Sequence, residues 1–127
     1  MNLWGCLDSQ NATTQPTTDS SIKMIYELRT YDVKPGRLAE YLKLFNDVGL
    51  PARKNFGVLV GFWFTEFGPL NQVVHLWQYE SLDKRAVLRA ELLKQPPWVD
   101  DFLPKALPML DKMNSVVLNA APFSPLK

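Results

Sequence analysis

The chain has 127 residues, enough for one domain with one modest core. Its 46% hydrophobic and 21% charged content is ordinary for a globular protein, and a formal net charge of +1 gives no bulk attraction to nucleic acid or a lipid surface. One cysteine, Cys6, excludes an internal disulfide and a cysteine-rich metal site, and no apolar stretch has the length to insert through a membrane.

The first 23 residues read as a polar tail. Positions 7–21 are Ser, Thr, Gln, Asn and Asp with almost no apolar content. Such a segment buries too little surface to offset its ordering entropy, so disorder is expected there. Gly5-Cys6 has the look of a lipoprotein cleavage box, but a charged start and a long apolar region are missing before it. The folded domain is placed at 24–127.

Met24 to Tyr31 alternates and predicts a first strand, with Ile25, Glu27, Arg29 and Tyr31 on one face. Lys34-Pro35-Gly36 breaks it. Residues 37–48 carry Leu38, Tyr41, Leu42, Phe45 and Val48 at helical spacing, and Gly49-Leu50-Pro51 ends or kinks that helix. Aromatic and β-branched residues then fill two strands, roughly 58–66 and 72–80, with Gly68-Pro69-Leu70-Asn71 as the turn between them. Ser81 is a helix N-cap with Asp83 in the first turn, and the helix runs through Leu93. Gln95-Pro96-Pro97-Trp98 stops it, and Pro104 and Pro108 keep the next stretch in short pieces. A last strand spans Met113 to about Leu118.

Strand, helix, strand, strand, helix, strand is the ferredoxin-like βαββαβ order: an α+β fold with an antiparallel sheet and helices on one face. The opposite face, with Trp63 or its neighbours, is too apolar to be left in water. A second copy, sheet against sheet, is the simplest cover, so a homodimer is expected.

Several runs resemble NIPSNAP domains: Tyr26-Glu27-Leu28-Arg29-Thr30-Tyr31 with Lys34-Pro35-Gly36, and Gly61-Phe62-Trp63 with Thr65-Glu66. Gly68-Pro69-Leu70-Asn71-Gln72-Val73-Val74-His75-Leu76-Trp77 continues the likeness, as do Tyr79, Ser81-Leu82, Arg85, Pro97-Trp98 and Pro122-Phe123-Ser124-Pro125-Leu126. The likeness covers residues 24–127. Met113 is followed by Asn114, where that family often has a glutamate. The resemblance implies a dimeric α+β barrel made of two ferredoxin-like subunits whose sheets join. It brings no established reaction with it. The polar tail is unlike the Arg-rich leader of mitochondrial members, and a cytoplasmic location is expected.

His75, the only histidine, lies mid-strand with Val73, Trp77 and Tyr79 on its own face. The first and third strands are the central pair of this order, so a register that aligns the polar parities puts Glu27, Arg29 and Tyr31 beside it. A histidine next to a carboxylate is raised in pKa and held in one tautomer, as acid–base work needs. An adjacent arginine can hold an anionic oxygen. His75, Glu27 and Arg29 are therefore the candidate catalytic residues. Tyr31, Trp77, Tyr79 and Trp98 are the candidate ligand contacts. The competing, more economical reading makes the cluster a satisfied polar network in the dimer core. No cofactor is expected: haem needs an axial ligand, and one strand-borne histidine with no cysteine pair is a poor donor set for haem or for a metal. The function read from the chain is a homodimeric binding module for a protein or a small apolar or aromatic ligand. The alternative is a cofactor-free isomerase or monooxygenase.

Overall fold

The computed structural model describes residues 23–127; the expectation of a disordered polar tail over residues 1–23 lies, Lys23 apart, outside the described residues. Strand β1 (Ile25–Val33) leads into helix α1 (Leu38–Leu44), which widens into a π-helical turn at Phe45–Gly49 and closes as a short α-turn at Leu50–Ala52. Strands β2 (Val58–Phe64) and β3 (Gln72–Tyr79) follow, then helix α2 (Leu82–Leu92). A second π-helical turn (Pro97–Phe102) leads into α3 (Leu103–Ala106), a 3-10 turn at Leu107–Met109, and strand β4 (Leu110–Asn119). The four strands form one antiparallel sheet in the order β2-β3-β1-β4, as the βαββαβ pattern predicts.

Two local features depart from the simple reading. Gly49-Leu50-Pro51 does not stop the first helix, whose backbone stays helical through Ala52. The Leu50 N–H instead bonds to the Phe45 carbonyl, five residues back. In the second wide turn, the Leu103 N–H bonds to the Trp98 carbonyl in the same way. Each of these bonds comes from the residue just before a proline, Pro51 or Pro104. A wide turn lets the chain accommodate a ring that has no N–H to give and that crowds the carbonyl of the preceding turn. The last strand also starts three residues earlier than expected. Leu110 pairs with Val33, and a register shift between Asp32 and Val33 absorbs the irregular start.

The two π-helical turns pack directly on each other. A Cβ at Gly49 would lie 2.7 Å from a ring carbon of Phe102, so only glycine allows this approach. The core between sheet and helices includes Tyr41, Phe45, Val73, Trp77, Leu92, Trp98 and Phe102. Helix α2 is held less deeply: Leu92 is buried, while Leu82 and Val87 face solvent.

The other sheet face carries Tyr26 and Leu28 from β1, Val74 and Leu76 from β3, Trp63 from β2, and Val116 and Leu118 from β4. Trp63, Val116 and Leu118 are exposed. The hairpin turn agrees with its sequence: Asn71 takes a left-handed conformation (φ 59°), and the Thr65 hydroxyl donates to the Pro69 carbonyl at 2.6 Å.

Candidate functional site

Alternation along β1 and β3 aims Glu27, Arg29, Tyr31, Val73, His75, Trp77 and Tyr79 at the helices. The register sets Arg29 opposite His75 and Glu27 opposite Trp77. The polar residues therefore sit beneath the helical layer, not on the open face where the dimer-core reading places them. Glu27 (0% exposed) and His75 (1%) are more completely enclosed than most of the apolar core, and Arg53 (3%) is buried as well.

Glu27 is the hub. Its carboxylate accepts from Arg29 Nη1 at 2.6 Å, from Arg85 Nη2 at 2.7 Å and Nε at 3.1 Å, and from the Ser115 hydroxyl at 2.5 Å. Burial acts against the charged carboxylate. Hydrogen bonds from Arg85 and Ser115, with the charges of Arg29 and Arg85, outweigh it and lower the pKa from 4.5 to about 2. Arg85 thereby ties α2 to the sheet, 58 residues away along the chain. Arg29 Nε also donates to the Tyr31 hydroxyl at 2.5 Å.

His75 does not bond to that carboxylate. Trp77 Nε1–H donates to His75 Nδ1 at 2.6 Å, which leaves the proton of the neutral ring on Nε2. Phe62 stacks on the imidazole at 4.5 Å, Tyr31 meets it edge-on at 4.9 Å, and Phe45 lies 6.0 Å away. Enclosure by these rings, with Arg29 and Arg53 nearby, lowers the His75 pKa from 6.5 to about 3; Glu27 opposes this too weakly to matter. The direction is the reverse of that expected from a neighbouring carboxylate. We expect the carbon-bound imidazole protons to hold constant NMR shifts from about pH 5 to about pH 8, the range over which an ordinary histidine titrates. A midpoint near 6.5 would show that the ring is open to water.

Arg53 follows the short turn at Leu50–Ala52 and reaches back over the sheet. Its guanidinium lies 3.7 Å from the centre of a Trp77 ring and 5.6 Å from a Trp98 ring, and Nη2 donates to the Tyr79 hydroxyl at 2.8 Å. Gly57 (φ 105°) makes room for this pair, since a Cβ there would fall 2.8 Å from the Tyr79 ring. Trp98 itself stacks on Phe102 at 4.6 Å. A cavity of about 500 Å³ opens beside Arg53, walled by Trp77, Leu50, Pro51, Leu59 and Asn46 among others. Its lining includes Arg53 and Trp77 but not His75.

All the predicted site residues thus belong to one neighbourhood. Glu27, Arg29, Tyr31, His75, Trp77 and Tyr79 line a single sheet face, and Trp98 reaches the group through Arg53. Arg53, Ser115 and the His75-stacking Phe62 went unassigned. Among the described residues no group of three or more His, Cys, Asp or Glu side chains gathers as a metal site, and no helix is long and apolar enough to cross a membrane.

Residues 26–125 match the NIPSNAP family model. The chain belongs to the NIPSNAP family. It is 42% identical over 96 residues to the NipSnap homolog of Dictyostelium discoideum, covering 76% of this chain and 42% of that protein. It is 33% identical over 105 residues to human NipSnap homolog 3A, covering 82% of this chain and 42% of that protein. The chain therefore spans about two fifths of the length of these curated NIPSNAP relatives. Among solved structures, a NIPSNAP family protein of unknown function from Agrobacterium tumefaciens superposes with a TM-score of 0.79 at 41% identity, covering 84% of this chain and 96% of that one. The NIPSNAP assignment and the ferredoxin-like α+β fold agree with the sequence reading.

Proposed function

We propose that this NIPSNAP domain, residues 24–127, is a homodimeric small-molecule-binding module whose ligand enters between the sheet and the helices at the Arg53–Trp77 cavity. The observation that carries this reading is the cavity itself. About 500 Å³ is within the range of small-molecule sites, and a mostly apolar wall with a few fixed polar groups is their usual construction. The dimer reading rests on the open sheet face, where Trp63, Val116 and Leu118 are exposed on a surface that a second sheet would cover. Such an interface buries on the order of 2,000 Å².

The enzyme alternative requires His75 to exchange a proton with a substrate. A ring closed in by Phe62, Tyr31, Phe45 and Trp77, with its pKa lowered to about 3, is poorly placed to act as a base near neutral pH. We therefore favour binding without catalysis, with Glu27 and Arg29 fixing the wall of the site. Native mass spectrometry of freshly purified protein tests the proposal. The expected spectrum shows a dimer carrying a small molecule that is lost on activation. Bare monomer at micromolar concentration would overturn it.

A further inference from the structure

Resting on the small-molecule reading, we infer that the cavity takes a carboxylate with an apolar body, the negative charge seated against Arg53 and the body against Leu50, Pro51 and Leu59. The first support is the charge balance. One buried carboxylate, Glu27, stands against the buried guanidiniums of Arg29 and Arg53 and the partly exposed one of Arg85. Glu27 is fully engaged by Arg29, Arg85 and Ser115. Among the described residues no carboxylate pairs with Arg53: its one side-chain partner is the Tyr79 hydroxyl, its other hydrogen bond goes to the Phe56 carbonyl at 3.4 Å, and its rings are Trp77 and Trp98. A guanidinium stays charged in proteins, so this one is a buried cation with no counter-charge.

The second support is independent of charge. Among the described residues, three buried side-chain polar atoms have no hydrogen-bond partner: Arg53 Nε, His75 Nε2 and Arg89 Nη1. All three are N–H donors, given the tautomer that Trp77 imposes on His75. Among the described residues no oxygen belongs to that fully enclosed, unpartnered group. A site short only of acceptors fits a ligand that brings oxygens. Of the three residues Arg53 also lines the cavity, together with Lys54 and Asn46. The rest of the wall is largely apolar, which suits an alkyl or aryl body better than a bare phosphate.

NMR titration of the ¹⁵N-labelled full chain tests this, read at the Arg53 Nε–H and Trp77 Nε1–H signals. The probes are octanoate, octan-1-ol and inorganic phosphate. Octanoate is expected to shift both signals saturably and to bind at least about tenfold more tightly than octan-1-ol, the least that a charge-assisted hydrogen bond supplies. Arg53→Met should abolish the preference for octanoate, so that octanoate and octan-1-ol bind the variant with equal affinity. Arg53→Lys, which keeps the charge without the planar fork, should fall between. Equal binding of octanoate and octan-1-ol to the wild type would overturn the carboxylate while leaving the small-molecule site standing. Phosphate binding as tightly as octanoate would overturn the apolar body. If neither octanoate nor octan-1-ol moves the Trp77 signal, the cavity is not a ligand site and both readings fall.

Discussion

Glu27→Gln should destabilise the protein by about 3–5 kcal/mol, because it removes the one charge that compensates a buried arginine. Arg29 is held by that carboxylate at 2.6 Å and Arg85 by both of its oxygens, so an amide leaves two guanidiniums facing a neutral group. An amide nitrogen would also point a donor at other donors. The pH dependence has a definite sign. The folded pKa of Glu27, about 2, lies below its ordinary 4.5, so its stabilisation is complete above about pH 5. It is lost as pH falls from 4.5 toward 2. The shift corresponds to about 3 kcal/mol at neutral pH. Denaturant unfolding of wild type and variant should therefore show a wide gap at pH 7 that narrows toward pH 2. A gap under about 1 kcal/mol at pH 7 would mean that the ion pairs contribute only as surface pairs do.

His75→Ala should cost about 2–4 kcal/mol, through a cavity and through an orphaned donor. The imidazole fills a space bounded by Phe62, Tyr31, Phe45 and Trp77, all from different turns or strands of the core. Its Nδ1 is the acceptor for the buried Trp77 N–H, which alanine leaves without a partner. Chemical unfolding at matched protein concentration measures the loss, since the stability of the proposed dimer would depend on concentration. A variant within a few tenths of a kcal/mol of wild type would show that the imidazole already faces water. His75, Glu27 and Arg29 would then return as candidates for chemistry.

The sheet was legible because period-2 alternation is written into each strand. Glu27, Arg29 and Tyr31 share a parity, as do Val73, His75, Trp77 and Tyr79, and the ferredoxin-like order makes β1 and β3 neighbours. Those facts make a meeting of His75 with the polar residues of β1 possible; the register that sets it opposite Arg29 is seen only in the fold. They do not say which carboxylate oxygen reaches which donor, and the expected Glu27–His75 contact is replaced by Trp77–His75, a bond between two residues of one strand. Arg53 was hidden for a different reason. It follows Pro51 in the run Pro51-Ala52-Arg53-Lys54, which reads as a basic, solvated helix end. Only the fold carries it back over Trp77 and over Tyr79, the latter 26 residues further along. Ser115 lies on a strand whose side chains are mostly exposed on both faces, so nothing in its surroundings marks the hydroxyl that bonds Glu27. The early start of β4 was masked by Pro108 and by the charged pair Asp111-Lys112, which resemble loop composition.

On the proposed reading, the positive charge of Arg53 beneath the helices serves a ligand and not the fold. Equilibrium unfolding of Arg53→Met against wild type, at matched protein concentration without added ligand, decides this. Methionine keeps much of the apolar stem and removes a cation that no carboxylate balances. Replacing buried ionic groups with apolar residues of similar volume is often neutral or stabilising, and binding sites characteristically trade stability for function. The predicted result is a variant as stable as wild type or more stable by about 1–2 kcal/mol, even though the Tyr79 hydroxyl loses its donor. A loss of more than about 1 kcal/mol would show that the Trp77 ring and the Tyr79 hydroxyl hold Arg53 as a structural cation, and would contradict the claim.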